Sequence, residues 1–256
     1  MKKKRRKLRK QPLMIITVLL VICIAAIIYH LFFKDRDLQV GIGYLKAQEE
    51  QDLANIDAQV TENKRAKILQ SFENGDRSVF SLFNDSLLIG DSRMYGFDAF
   101  GFVEPARVLA GAGYTVLNID ESMINQARAL QPDVIYLSFG VNDMGLKVGE
   151  NEGENGYDSV YEEKIKSLLE VSPNSKIVVN SIIPVTPEVV EKTPRWADTA
   201  SYNQLIKAMC ERNGWIFVDN DGISENGNMS YYGTDGIHFN DSFYPIWAAN
   251  MVENVL

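Results

Sequence analysis

From Ser81 onward the chain carries five short apolar runs: Leu87–Gly90, Arg107–Ala110, Val134–Phe139, Lys176–Ile182 and Trp215–Asp219. Each is a continuous stretch, not an alternation of apolar and polar positions. A strand with one wet face alternates; a continuous run predicts a strand covered on both faces. Amphipathic segments at helical spacing lie between or after them: Arg93–Phe100, Ile119–Leu130, Tyr157–Val171, Asp198–Asn213 and Ser242–Val255. Such an alternation predicts an α/β domain, a parallel five-stranded sheet with helices on both sides. Asn118 and Asp198 are the expected N-caps of the second and fourth helices. Gly214 stands where the fourth helix should end.

The N-terminal part reads differently. Leu13–Phe33 is 21 residues without a formal charge, and Lys2–Lys10 before it holds eight Lys or Arg. As a helix the apolar run reaches about 31 Å, enough to cross a bilayer core. The basic flank is expected to stay cytoplasmic, with everything after Lys34 outside. A cleaved signal peptide fits less well, because the run exceeds the usual length and no Ala-x-Ala site ends it. Residues 34–80 are polar and helix-friendly. Leu53, Ile56 and Val60, then Ile68 and Leu69, form a narrow apolar stripe. A helical stalk is expected here; the stripe could pair with a partner helix or form a dimer contact, or the helix could lie solvated against the domain. The expected organisation is a basic tail (1–12), a membrane helix (13–33), a stalk (34–80) and a catalytic domain (81–256).

Charge and cysteine content exclude several classes. Beyond the basic tail, 18 basic residues face 34 acidic ones, a net of −16. A body of that charge is not expected to bind nucleic acid. Cys23 and Cys210 are the two cysteines, and Cys23 lies in the apolar run, so neither a disulfide framework nor a cysteine zinc site can be built. The acidic loop Gly149–Asp158 matches no EF-hand spacing; it follows the third strand's loop and could act as a lid. No metal or organic cofactor is expected.

In a parallel sheet, ligands bind beyond the carboxyl ends of the strands. Gly90-Asp91-Ser92 follows the first run. Gly111 and Gly113 follow the second. Gly140-Val141-Asn142-Asp143 follows the third, and Asp235 with His238 precedes the last helix. Alone, each reads as a cap, a loop or a turn. Together they supply what acyl transfer needs: a nucleophile, a base, a group orienting the base, and oxyanion donors. Ser92 offers the hydroxyl. His30 falls in the apolar run, leaving His238 as the one candidate histidine base, and Asp235 lies three residues before it. Ser92 N–H, Gly113 N–H and the Asn142 amide could hold an oxyanion, with Gly111 the alternative to Gly113. Asp143 is expected to hold its loop through backbone hydrogen bonds. No Gly-x-Ser-x-Gly surrounds any serine, which excludes the α/β-hydrolase elbow.

Gly90-Asp91-Ser92, Gly113, Gly140-x-Asn142-Asp143 and Asp235-x-x-His238, in this order, resemble the four sequence blocks of the SGNH (GDSL-like) hydrolases. The resemblance covers about Ser81 to Leu256. It implies a three-layer αβα, flavodoxin-like domain and a serine esterase or acyltransferase mechanism. Ser92 would be the nucleophile, Asp235 and His238 would complete the triad, and Ser92, Gly113 and Asn142 would form the oxyanion hole. Arg93, after the nucleophile, departs from the polar or small residue of many members; it is expected either to steer an acceptor or to face solvent. Asp91, Arg93, Trp196 and Tyr202 are candidate substrate contacts, and Lys192 and Arg195 with Arg93 are the candidate basic groups near the site. The expected substrate is an O-acyl, foremost O-acetyl, ester of a cell-envelope glycan. A catalytically silent glycan-binding or scaffolding module and a lipase acting on lipids or small esters are the alternatives.

Overall fold

The structure is a computed structural model that describes residues 10–32, 39–46, 48, 70, 74, 78–150, 156–224 and 229–255. The chain divides into two compact units, Met1–Asn63 and Lys64–Leu256. In the first, helix α1 spans Lys10–Phe32. Its side chains are described from Met14 to His30, and all of these are exposed. Among the described residues no helix is long and apolar enough to cross a membrane; the expected span, residues 13–33, runs past the described side chains at both ends. Residues 39–46 are helical. The rest of the expected stalk, with its apolar stripe, lies almost wholly outside the described residues.

The second unit follows the alternation of its sequence. Strand β1 (Ser86–Gly90) leads into α2 (Ser92–Ala99), and β2 (Val108–Ala110) is followed by α3 (Glu121–Leu130). Then come β3 (Val134–Ser138), α4 (Val141–Leu146), α5 (Tyr157–Val171), β4 (Lys176–Asn180), α6 (Pro187–Lys192), α7 (Thr199–Asn213), β5 (Ile216–Val218) and α8 (Tyr244–Glu253). All strand pairs are parallel, and the order across the sheet is β2-β1-β3-β4-β5. Along each central strand, side chains alternate between two cores. Leu87, Ile89, Ile135, Leu137, Ile177 and Val179 pack with residues of α3, α5 and α7. Leu88, Tyr136 and Val178 pack with residues of α2 and α8. Both faces are therefore covered, which is why these strands read as unbroken apolar runs. The result is a three-layer αβα domain of the flavodoxin-like order.

Boundaries moved where capping decided them. Asn118 does not cap α3; its side chain accepts from Thr115 N–H at 2.9 Å, closing a 3-10 turn over Val116–Asn118. Asp120 caps α3 instead, accepting from the N–H groups of Ser122 and Met123. Asp198 is the N-cap residue of α7 without a side-chain capping bond, and Gly214 ends that helix in the left-handed region. Gly140 is the N-cap of the short helix α4 rather than part of a turn, and α6 is a second helix that the periodicity does not reveal.

Candidate active site

Chain order reverses between β1 and β3, the two strands that flank the switch point of this sheet. β1 stops at Gly90. A Cβ there would come within 2.5 Å of both Met94 Cβ and the Ser138 carbonyl oxygen, so only glycine lets the chain turn this closely from strand to helix. Asp91 N–H then bonds Ser138 O at 3.1 Å, and the Asp91 carboxylate accepts from Arg93 N–H at 2.9 Å as the N-cap of α2. Asp91 is only 2% exposed. Its role is to start the helix, and as a substrate contact it is corrected. Burial raises its carboxyl above the ordinary value, against the opposing charge and N–H of Arg93.

Ser92 is the first residue of α2 and is half-buried. The first N–H groups of a helix have no carbonyl one turn back; that of Ser92 lies at the positive end of the helix dipole. His238 Nε2 lies 2.8 Å from Ser92 Oγ, and His238 Nδ1 lies 2.6 Å from Asp235 Oδ2. The other Asp235 oxygen accepts from the N–H groups of Ile237 and His238 at 2.9 and 3.0 Å. Burial works against the Asp235 charge. The bonds from the His238 ring and the two N–H groups outweigh it and hold the carboxyl at about 2. An ionised Asp235 keeps the ring proton on Nδ1, which leaves Nε2 free to accept from the serine hydroxyl. The two side chains are 47% and 46% exposed, so a group on a large substrate can reach them.

In the loop after β2, Gly113 is exposed with φ 77° and open space where a Cβ would stand, while a Cβ on Gly111 would meet the Tyr114 ring. Asn142 donates one of its two amide hydrogens to Tyr114 O at 2.9 Å, and Asp143 Oδ1 accepts from Val116 N–H at 2.9 Å. These two bonds fix the Gly113 loop against the start of α4. Asp143 is fully buried, so its part is to hold the loop. Its second oxygen, Tyr157 OH and Tyr161 OH are buried without a hydrogen-bond partner among the described residues.

Two further candidate contacts, Arg93 and Trp196, are corrected, and Tyr202 is packed only in part. Arg93 neither steers an acceptor nor faces solvent. It is 3% exposed and donates to the carbonyls of Ile237 (2.9 Å) and Ile183, with a longer contact to Pro184 O at 3.5 Å. Trp196 is buried and donates its indole N–H to Val141 O at 2.9 Å, bracing the start of α4. Tyr202 stacks at a tilt on Tyr157, ring centroids 4.9 Å apart, and packs on the core. An indole tied into packing in this way is not available to a sugar face, whereas the Tyr202 ring stays half-exposed. Arg195 is exposed and lies over the Trp196 ring, 4.2 Å from its centroid. Lys192 is exposed at the end of α6. Residues 151–155 of the expected lid lie outside the described residues.

A cavity of 590 Å³ lies beyond β4 and β5, lined by Pro184, Val190, Trp196 and Phe217 among others; Ser92, Asp235 and His238 are not in its wall. Beneath the nucleophile turn the packing is tight, with a gap of 10 Å³ between Asp91, Arg93 and Trp247. Among the described residues no group of three or more His, Cys, Asp or Glu could hold a metal ion. The arrangement of Ser92, His238 and Asp235 is one in which the serine proton can pass to an imidazole whose partner stays charged.

A sequence profile of the GDSL-like lipase/acylhydrolase family matches residues 88–246. Among solved structures, the chain is similar to the family 3 carbohydrate esterase of Clostridium thermocellum. The identity is 20% over 65% of this chain and 92% of the other, with a TM-score of 0.48. A variant of an acetylxylan esterase of Geobacillus stearothermophilus is 21% identical over 66% of this chain and 93% of its own, TM-score 0.48. The lipase/acylhydrolase of Enterococcus faecalis is 15% identical over 66% and 94%, TM-score 0.48. Among curated proteins, none matches the chain.

Proposed function

The chain belongs to the GDSL-like lipase/acylhydrolase family, and we propose that it is a serine esterase or acyltransferase that removes or transfers O-acyl groups, foremost acetyl, on cell-envelope glycans. The observation that carries this reading is the single imidazole placed between a serine hydroxyl at 2.8 Å and a carboxylate at 2.6 Å. In the first step Ser92 Oγ attacks the ester carbonyl and its proton passes to His238 Nε2. Asp235 stays ionised and stabilises the imidazolium. The oxyanion is held by Ser92 N–H, Gly113 N–H and the second Asn142 amide hydrogen. His238 then protonates the departing alcohol oxygen, leaving acyl-Ser92. Water, or a sugar hydroxyl, gives its proton to His238 and takes the acyl group, and Ser92 regains its hydrogen.

The half-exposed His238 and Asp235 side chains suit an ester carried on a polymer. The apolar Leu13–Phe33 run and the basic Lys2–Lys10 flank favour a membrane anchor with the domain outside the cell. The test is hydrolysis of p-nitrophenyl acetate and of acetylated glycans by the full-length chain and its Ser92→Ala variant. The variant should lose about 10³-fold or more in kcat, and a fluorophosphonate probe should label Ser92. Equal rates for the two proteins would leave a silent glycan-binding module as the better reading.

A further inference from the structure

We propose that Arg93 is a positioning residue that ties the histidine base to the helix carrying the nucleophile. This inference rests on the triad reading above. Arg93 follows Ser92 directly in the first turn of α2. Its guanidinium Nε donates to Ile237 O at 2.9 Å, the residue before His238. The same group lies 4.8 Å from the centroid of the Phe239 ring, the residue after His238. Its Nη1 donates to Ile183 O, and Nη2 makes the longer contact with Pro184 O, both beyond the end of β4. One side chain thus grips both neighbours of the base and secures them to the sheet edge.

A buried cation is costly unless its hydrogens are satisfied, and Arg93 is 3% exposed. Guanidinium is suited to the task because its N–H groups form a rigid planar fork; an ammonium is a compact point charge that cannot reproduce the fork. The main-chain end is held as firmly. Tyr244 OH donates to Arg93 O at 2.8 Å, and Asp91 accepts from Arg93 N–H at 2.9 Å. The base's own turn is shaped locally by Asp235 and by Gly233 N–H donating to His238 O at 2.7 Å. Those bonds set the form of the turn but not its place relative to Ser92. Thr186 N–H, donating to Gly236 O at 3.0 Å, ties the turn to the start of α6. Arg93 alone among these groups joins it to the nucleophile's own helix, so displacement of α2 carries nucleophile and base together. The 2.8 Å spacing between half-exposed groups needs such a tie.

The test uses the full-length chain with detergent present and the variants Arg93→Lys and Phe239→Leu, each checked for cooperative thermal unfolding by circular dichroism. Both should lower kcat for p-nitrophenyl acetate by about tenfold to a hundredfold, as a small misplacement does, with KM nearly unchanged. A second readout does not depend on turnover. The chain has two histidines, His30 and His238, so the downfield Nδ1–H proton resonance of a histidine-labelled sample is readily assigned to His238 through its loss in His238→Ala. That resonance should broaden or disappear in both variants. Folded variants with wild-type kcat, or with lowered kcat and an unaltered resonance, would overturn the proposal. Should Arg93→Lys not fold, Phe239→Leu decides alone. A wild-type chain no more active than Ser92→Ala would sink the esterase reading while the resonance still judges the tie.

Discussion

Asp143 sits one residue after the proposed oxyanion donor Asn142, and its environment makes the fold sensitive to pH. Burial raises its carboxyl to about 7, the Val116 N–H works against the rise, and the charge of Asp91 adds to it; the Asp143 charge in turn helps to push up the buried Tyr157 and Tyr161 phenols. In the unfolded chain the group returns toward its ordinary 3.8. Between these two values the native state holds a proton that the unfolded state has lost, so stability falls as pH rises through this window and levels off above it. Asp143→Asn keeps an oxygen for Val116 N–H and removes the titration. Its melting temperature should therefore fall less than that of the wild type between about pH 5 and pH 8, as read by thermal melts across that range. Parallel curves for the two proteins would refute the assignment. Ser92, His238 and Asp235 were legible as a set because one histidine outside the apolar run left little choice of base. Asp91, Arg93 and Trp196 were misjudged, because burial of a polar side chain depends on what packs over it from distant parts of the chain. The hydrogen-bond partners of the Arg93 guanidinium are backbone carbonyls, which any residue supplies and no motif records.

At the scale of elements, α2 and α8 meet through a contact that a helix pattern does not reveal. Gly96 lies in the interior of α2, where alanine would ordinarily gain roughly 1 kcal/mol in helix propensity. A Cβ at this position would fall 1.7 Å from Tyr244 OH and 2.1 Å from Tyr244 Cζ, both on α8. The phenol cannot withdraw without giving up its bond to Arg93 O. Overpacking should win, and Gly96→Ala should destabilise by about 2 kcal/mol or more, measured by urea unfolding. A neutral or stabilising effect would mean that the two helices slide freely. The wrong cap for α3 has a similar origin. Asn118 and Asp120 are both good N-cap residues, and the Thr115 N–H claims the first of them for the preceding turn. Capping chemistry names the candidates; the path of the chain into the helix selects between them.

For the whole molecule, a buried polar junction ties the layers. Asn180 Oδ1 accepts from Trp247 Nε1 at 3.0 Å and Asn220 Nδ2 at 3.2 Å, and Asn180 Nδ2 donates to Leu137 O at 3.2 Å. β3, β4, the turn after β5 and α8 are joined at that one side chain, in an interior where unpaired groups would be costly. The N-terminal unit is a separate matter of solubility. On the proposed anchor and esterase reading, deletion of residues 1–33 should move the protein from the membrane fraction to the soluble fraction with esterase activity kept. Fractionation with an activity assay on both fractions measures this; a deleted chain still bound to membranes would argue against a single anchor.

The sequence by itself determined the α/β class, the parallel five-stranded sheet and the chain order of strands and helices. These follow from local pattern, because an unbroken apolar run marks a strand covered on both faces and apolar spacing near 3.6 residues marks a helix with one buried face. It also singled out Ser92, His238 and Asp235, because their chemistry is carried by side chains of distinctive type. Tertiary structure alone decided that Arg93 turns inward toward the residues beside the base, that Asp91 and Trp196 are braces, and that Asp143 is buried with one oxygen unpaired among the described residues. Those outcomes depend on which backbone carbonyls and which apolar surfaces the folded chain brings together over long separations, and such groups leave no mark in the spacing of residues.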